Sequence, residues 1–310
     1  MRNSLNFAVF VLVAALAAAC TTSTSDSGPA GETITIIHEL DTVQVKHNPT
    51  RVVALDYTSL EDLELLGIPV LGIPKSHVPS HLAAFKEDPA VEDLGTLQEV
   101  NFEKVAALNP DVIFMSERLV NSYPELKKIA PTVYLKTDTK DFVGSFKKIS
   151  GYFAQIFDKD EQINEELAKV DEKIKAVQEK IAHSEDKGLI TMFNNGKFSV
   201  YGKGSRFGII HEVFGVKPAV TDIDATATHG QAVSSEFIQQ VNPDILFVMD
   251  RGAVVAGKAA DKRDIENALV QKTNAYKNGK VIYLNPERWY ISGIGIPTVN
   301  AMIDEISLRF

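Results

Sequence analysis

The chain has 310 residues, 45% of them hydrophobic and 24% charged, which is typical of a globular protein long enough for two hydrophobic cores. Its formal charge of −9 argues against a general nucleic-acid-binding protein, because contact with phosphates needs a basic surface. Cys20 is the single cysteine, which excludes an intramolecular disulfide and any cysteine-rich zinc or iron–sulfur site.

The first twenty residues are typical of a secretory signal peptide. Arg2 precedes an apolar run from Leu5, and the run is too short, and its following segment too polar, for a membrane-spanning helix. Three alanines lead directly to Cys20. We expect residues 1–19 to be a signal peptide and residues 20–32 a flexible tether. Without Arg2 the mature chain has 31 basic and 41 acidic residues, a formal charge of −10.

Residues 33–157 are predicted to form a first lobe of α/β type. Short runs rich in β-branched residues alternate there with amphipathic helical runs, which indicates a sheet covered by helices. The strand-like runs are 51–55, 112–115 and 132–135, and the helical runs are 60–66 and 102–108.

A long helix is predicted over residues 158–184. Apolar residues recur there at steps of three and four between charged flanks, as on one face of a helix about 40 Å long. They are Ile163, Leu167, Val170, Ile174, Val177 and Ile181. Residues 185–310 then repeat the α/β pattern, with an Asn195-Gly196 hairpin turn and apolar runs at 188–193, 198–201, 209–214, 245–249 and 281–284.

The two halves share several motifs in the same order. Asn-Pro-Asp followed by an apolar strand occurs at 109–111 and again at 242–244, an offset of 133. The same offset places Arg118 on Arg251, and Glu64 matches Glu212 within a Glu-x-x-Gly pattern at an offset of 148. Several matches in one order indicate an internal repeat.

A set of motifs along residues 33–310 resembles the siderophore-binding lipoproteins of bacterial ABC importers, and their ferric-catecholate branch in particular. The motifs are NPTRVVALD, FEKVAALNPDVIF, GSRFGIIHEVFGV, TATHGQAVSSEFI, NPDILFVMDR and PERWY. The resemblance implies the class III periplasmic-binding-protein fold, with two Rossmann-like α/β lobes bridged by one long α-helix and the ligand in the cleft between them. It also implies a monomer that is not an enzyme and holds no permanent cofactor.

Three arginines are the candidate ligand-binding residues. Ferric catecholates are large, flat and anionic, and guanidinium groups stay charged and donate several hydrogen bonds to such ligands. Arg118 and Arg251 each follow a strand and Arg206 begins a helix, where α/β folds place ligands. Three further arginines, Arg263, Arg288 and Arg309, are predicted to be surface charges, although Arg288 is a candidate for the cleft rim.

His229 and Tyr290 are candidate iron ligands. Imidazole and phenolate both coordinate iron, and two catechols leave two positions of the octahedron open. The resemblance implies that these two residues fill them. The alternatives are a loop histidine bonded to backbone and a tyrosine that packs behind Trp289; with a hexadentate siderophore both residues would only line the cleft. The other histidines are scattered and lack the spacing of a zinc site, and the pair His77 and His81 is predicted to lie on the surface.

The resemblance also implies a membrane anchor and a membrane partner. Cys20 would be acylated, which places the protein on the outer side of the cytoplasmic membrane, periplasmic or at the cell surface. Glu64 and Glu212 would contact the ABC permease, which works with its ATPase. The alternatives are an incidental Cys20 thiol after cleavage at Ala-x-Ala, and ordinary solvated glutamates on two helices.

Other functions remain open from the sequence alone. A cobalamin or haem binder of the same fold would favour aromatic walls over three arginines. A surface lipoprotein without a small ligand, or a hydrolase of ester-linked siderophores, are the other classes. The hydrolase is disfavoured, since the chain has neither a Gly-x-Ser-x-Gly elbow nor a phosphate-binding loop.

Overall fold

The structure, a computed structural model, describes residues 32–310 apart from Thr226 and Thr228. The signal peptide, the acylated Cys20 and nearly all of the tether predicted from the sequence therefore lie outside the described residues. The described chain contains one sheet in each half and a long helix between them.

The first half combines a hairpin with a parallel sheet. Its strands are β1 Thr33–His38, β2 Asp41–Lys46, β3 Val52–Ala54, β4 Gly72–Ile73, β5 Glu92–Asp93, β6 Val112–Ser116 and β7 Thr132–Leu135. Its helices are α1 Tyr57–Leu65, α2 Ala83–Glu87, α3 Phe102–Ala107, α4 Tyr123–Ile129 and α5 Phe142–Phe157. The sheet has the order β5-β4-β3-β6-β7, and every neighbouring pair in it is parallel. Such a sheet gathers the carboxyl ends of its strands at one edge, where ligands bind.

Helix α6, Asp160–Ala182, follows α5 after Asp158, which takes a left-handed backbone conformation at φ 53°. Five of the six predicted apolar residues of α6 are buried, and Leu167 is partly buried against the same core. The helix bonds to both halves. Near its start Gln162 donates to the carbonyl oxygen of Leu65, and near its end Gln178 donates to that of Val213. These two glutamines are about 24 Å apart along the axis.

The second half forms a mixed sheet. Its strands are β8 Lys187–Asn194, β9 Lys197–Tyr201, β10 Lys217–Pro218, β11 Gln231–Val233, β12 Ile245–Asp250 and β13 Val281–Leu284. Its helices are α7 Ile209–Glu212, α8 Ser235–Val241, α9 Arg251–Val255, α10 Lys262–Ile265, α11 Asn274–Lys277 and α12 Ile296–Ser307. The order is β11-β9-β8-β12-β13, with β10 beside β8. The β8–β9 hairpin turns at Asn195 and Gly196, both at positive φ, as the sequence predicted. Together the two halves confirm the predicted α/β class.

The two Asn-Pro-Asp motifs have the same structural role in the two halves. Asn109 and Asn242 both have left-handed backbone angles that end a helix. The following aspartates then bind the first strand of their own sheet: Asp111 accepts from the Thr50 and Arg51 amides, and Asp244 from the Lys187 amide. The internal repeat read from the sequence therefore extends to equivalent hydrogen bonds.

A group of polar side chains, Glu61, His81, Arg288 and Thr298, joins α1 to the segment that leads into α12 and to the first turn of α12. We call it the polar seam. Glu61, which has no exposed surface, accepts from the Thr298 hydroxyl at 2.6 Å and lies 2.6 Å from His81 Nε2. Arg288 Nη1 donates to Thr298 Oγ1 at 3.0 Å and lies 3.5 Å from Glu61. The prediction that His81 and Arg288 are ordinary surface residues is wrong, because each is needed to pair a carboxylate that folding buries.

Candidate ligand-binding site

A cavity of about 500 Å³ lies where the strand ends of the two sheets meet. The first half contributes Thr58 and Arg118, which follow β3 and β6, and the second half contributes Arg206, His229 and Tyr290. This volume lies within the range of small-molecule sites. The structure thus brings four of the five predicted ligand-binding residues to one cavity.

Tyr290 lies in a single π-helical turn, Glu287–Ser292, of the kind often found at functional sites. Glu305 on α12 holds this turn at two points: it accepts from the Asn285 amide at 3.0 Å and from the Trp289 indole N–H at 2.7 Å. Burial raises the pKa of the Glu305 carboxyl. Trp289 and Tyr290 are 4% and 7% exposed, so the turn presents a rigid aromatic wall to the cavity.

The three predicted arginines converge on Tyr290. The Arg118 and Arg206 guanidinium groups donate to its carbonyl oxygen at 2.8 and 3.2 Å, and Arg251 Nε donates to its phenol oxygen at 2.7 Å. All three guanidinium carbons lie within 6 Å of the Tyr290 ring centre, at 5.7, 4.6 and 5.4 Å respectively. Three positively charged side chains from different loops therefore surround one aromatic ring.

These arginines form no ion pairs within the described part of the chain, although Glu117 on the cavity wall interacts with Arg118 and Arg206 at longer range. Among the described residues, no carboxylate oxygen lies within 4 Å of Arg118, Arg206 or Arg251. Arg206 has accessible surface because it faces the open cavity, but many protein atoms surround its guanidinium. This desolvation, together with the charge of Arg118, lowers the Arg206 pKa from its ordinary value. Because like charges at close range repel, an anion in the cavity would stabilise the cluster.

His229 lies on an exposed turn that lines the same cavity. Gly230, which follows it, has φ 73° and packs so closely that a Cβ there would come within 2.7 Å of the Tyr201 ring and 2.9 Å of the Val200 carbonyl oxygen. Glycine is therefore required, and it fixes the approach of the His229 loop to β9. His229 and Tyr290 face one cavity, although no hydrogen bond joins them among the bonds of the described residues.

Arg251 lies beside the main cavity rather than on its wall. It lines a smaller cavity of about 100 Å³ that shares Leu97, Arg118, Tyr290 and Ile291 with the main one. The sequence placed the three arginines together as one set. The structure places Arg251 at the smaller cavity and Arg206 at the main one, with Arg118 and Tyr290 lining both.

Several polar wall residues of the main cavity were not predicted from the sequence. Tyr57 and Thr58 follow β3, and Glu117 directly follows β6. The sequence could have indicated these residues, because each lies at the carboxyl end of a parallel strand. Within the described part of the chain, no group of three or more His, Cys, Asp or Glu side chains could hold a metal ion, and no helix is long and apolar enough to cross a membrane.

Residues 52–287 match the family model described as "periplasmic binding protein". The chain belongs to this family. Petrobactin-binding protein YclQ of Bacillus subtilis is 43% identical over 305 residues, 96% of each chain. Ferric-anguibactin-binding protein FatB of Vibrio anguillarum is 38% identical over 315 residues, 98% of each chain.

Solved structures of this family resemble the chain closely. The YclQ crystal structure has a TM-score of 0.86 and covers 90% of this chain and 98% of its own. The periplasmic catecholate-siderophore binding protein VctP of Vibrio cholerae has a TM-score of 0.85 at 29% identity, over 89% of this chain and 100% of its own. The periplasmic-binding-protein fold and a binding rather than enzymatic role, both predicted from the sequence, are therefore confirmed.

Proposed function

We propose that this periplasmic binding protein captures a ferric siderophore of the catecholate class and delivers it to an ABC permease and its ATPase. The observation that carries the proposal is the cluster of three guanidinium groups around Tyr290, none of them ion-paired within 4 Å among the described residues, at a cavity of about 500 Å³. A ferric catecholate would bring the missing negative charge together with flat aromatic surface.

The shape and chemistry of the walls support this ligand class. Guanidinium planes stack on aromatic surfaces and donate to catecholate oxygens, while Trp289, Tyr290 and Phe142 give the cavity aromatic walls. The relatives support the class as well: YclQ and FatB are named for petrobactin and ferric anguibactin, and VctP for catecholate siderophores. A cobalamin ligand has no net negative charge to offer the three arginines, and haem would bring only its two propionates.

His229 and Tyr290 are proposed to complete the coordination of iron when the siderophore supplies four donor atoms. Both line the main cavity, and His229 lies on a turn with accessible surface. The Tyr290 oxygen accepts a bond from Arg251, which holds it in place. With a hexadentate siderophore the two side chains would contact the ligand without touching iron.

Glu64 and Glu212 are proposed to dock on the permease, and acylated Cys20 to hold the protein at the outer side of the cytoplasmic membrane. Both glutamates are exposed. Each precedes the residue whose carbonyl oxygen α6 binds, Leu65 in one half and Val213 in the other, so they occupy matching places in the two halves. Glu212 also accepts from the Gly204 amide, which ties it to the Arg206 loop.

The fluorescence of Trp289 gives a direct test. It is the only tryptophan and lines the main cavity, so a ferric catecholate should quench it at micromolar concentration. Arg206→Gln should weaken the binding roughly 10- to 150-fold, which corresponds to the loss of about 1.5–3 kcal/mol for a hydrogen bond to a charged group. Added salt should weaken binding by the wild type more than by this variant.

Arg263→Gln is the matched control, because Arg263 is exposed and pairs only with Asp261 and not with the cavity. We expect it to leave the affinity unchanged. Ferric hydroxamates and haem should quench weakly or not at all. Tight binding of either, with no response to bis- or tris-catecholates, would contradict the proposed ligand class.

A further inference from the structure

The smaller cavity differs from the main one in size and chemistry. Its volume of about 100 Å³ corresponds to roughly three water molecules, against about 500 Å³ for the main cavity. It lies between the two halves of the chain: Ser76, His77 and Gln98 come from the first, and Arg251, Val254 and Val255 from the second. Whatever enters it must be compact.

Arg251 gives this cavity a preorganised cation. Its Nε is held by the Tyr290 phenol oxygen at 2.7 Å, which fixes the plane of the guanidinium. Among the hydrogen bonds of the described residues, neither terminal nitrogen of Arg251 has a partner. Arg118, the second cation of the cavity, uses one terminal nitrogen for the Tyr290 carbonyl oxygen. A planar anion with two oxygens suits such a guanidinium, because the pair can form two parallel hydrogen bonds.

The remaining walls strengthen this preference. Leu97, Val254 and Ile291 are apolar and displace water from around the charges, which strengthens hydrogen bonds to them. His77 closes the far side: its Nδ1 lies 2.7 Å from the Ser76 hydroxyl and its Nε2 lies 3.3 Å from the Val255 carbonyl oxygen. His77 has φ 61°, a backbone conformation that non-glycine residues adopt only when the surroundings hold it.

We propose that the smaller cavity is a carboxylate subsite, in which Arg251 and Arg118 bind a free carboxylate carried by the siderophore beside its iron-binding groups. The proposal deepens the proposed function and rests on it. The protein would thus select siderophores that bear a pendant carboxylate over neutral ones with the same catechols, because only the former fill both compartments.

Two synthetic ligands test the selectivity. They share a linker and two catechols, and differ only in a free carboxylate against a primary carboxamide on the linker. We expect the ferric carboxylate ligand to bind the wild type about 10- to 100-fold more tightly, the range for a hydrogen bond to a charged group. Arg251→Gln should remove most of this ratio. Arg206→Gln, in the main cavity, should weaken both ligands by similar factors and keep the ratio.

Val254→Phe is a second variant that fills the smaller cavity without removing a charge, and it should also reduce the ratio. Arg263→Gln should leave the ratio unchanged. Equal affinities of the wild type for the two ligands, or a ratio that persists in Arg251→Gln while the variant keeps its wild-type melting temperature, would overturn the subsite and leave the proposed function intact.

A catechol-free probe separates the two proposals. Millimolar succinate should raise the melting temperature of the ligand-free wild type and not that of Arg251→Gln. If no ferric catecholate binds, the proposed function fails, while this shift still supports a carboxylate site. The carboxylate subsite is contradicted if ferric catecholates bind but succinate does not raise the melting temperature of the wild type. It is also contradicted if succinate raises the melting temperatures of the wild type and Arg251→Gln equally.

Discussion

At the scale of single residues, Tyr290 organises the candidate site. Its carbonyl oxygen accepts from Arg118 and Arg206, its phenol oxygen accepts from Arg251, and its ring lies within 6 Å of all three, so one residue positions three positive charges. Glu305 and Asn285 in turn hold the π-helical turn that carries it. The residue proposed to bind ligand is therefore supported by residues that do not line the cavity, as preorganised sites require.

The iron-ligand hypothesis predicts a difference between siderophores. His229→Ala and Tyr290→Phe should each weaken a ferric bis-catecholate much more than a hexadentate tris-catecholate, because only the former leaves two iron positions open. Dissociation constants from Trp289 quenching would give the two ratios. The charge-transfer band of the bound complex should also shift in Tyr290→Phe, since a phenolate ligand contributes to it.

Tyr290→Phe also removes the acceptor of the Arg251 bond, so the comparison needs Arg251→Gln as a control. That variant should leave the charge-transfer band of the bis-catecholate in place. Equal losses of affinity for both siderophores, with an unchanged band in Tyr290→Phe, would contradict direct coordination.

At the scale of elements, α1 carries an unusual number of buried carboxylates. Asp56, Glu61 and Asp62 are all at most 3% exposed. Asp56 caps the helix by accepting from the Ser59 amide at 2.9 Å, while Glu61 and Asp62 accept from the Thr298 and Ile296 amides of the other half. Gly293, at φ 96°, approaches Thr58 so closely that a Cβ would come within 2.3 Å of its hydroxyl oxygen. Side chains of α1 thus bind backbone amides of the second half.

Because Asp56, the N-cap of α1, is buried, we expect the stability of the folded protein to depend on pH. Desolvation raises the pKa of Asp56 from 3.8 to about 6, so the folded state favours the protonated acid. The resulting contribution to the unfolding free energy is complete below about pH 4 and is lost as the pH rises through 6. Asparagine keeps the cap without titrating. Relative to wild type, Asp56→Asn should therefore gain about 2 kcal/mol in unfolding free energy between pH 4.5 and 7.5.

Urea unfolding at the two pH values measures this gain. Asp264→Asn, which changes an exposed aspartate on α10, is the control and should show the same pH dependence as wild type. A difference between Asp56→Asn and wild type that does not vary with pH would show that Asp56 is ionised in the folded protein throughout the range.

At the scale of the whole molecule, the two halves are joined at two places. Helix α6 binds carbonyl oxygens on both, and the polar seam around Glu61 binds α1 to the first turn of α12. A continuous helix resists bending, and a buried carboxylate network costs free energy to separate. We therefore expect ligand binding to be accompanied by a small closure of the cavity rather than a wide hinge movement.

The docking proposal belongs to this scale, because it concerns two distant glutamates. Replacement of Glu64 by lysine and of Glu212 by glutamine, whose amide oxygen can still accept from the Gly204 amide, should abolish siderophore-dependent iron uptake in cells. The purified protein should keep its affinity for ferric catecholate within about twofold, because neither side chain lines the cavity. Glu103→Lys, an exposed glutamate on α3, is the charge-matched control. Normal uptake by the double variant would contradict docking through these residues.

The sequence by itself determined the elements and the residue types of the site. Apolar patterning identified α6 and the strands β3, β6, β7, β8, β9, β12 and β13, and the Asn-Gly pair identified the turn at 195–196, because these depend on local backbone preference and on which face is apolar. The shorter or more polar strands β1, β2, β4, β5, β10 and β11 were not predicted. The internal repeat paired Arg118 with Arg251, since the two halves reuse one local structure whose hydrogen bonds are also alike.

Only the tertiary structure decided which charges meet. His81 and Arg288 are far apart in the chain and carry no local pattern, yet both reach the buried Glu61. The position of Arg251 in a separate compartment likewise depends on the side chain of Tyr290, 39 residues away. Contacts between distant segments are set by how the two halves pack together, and a local sequence pattern holds no record of that packing.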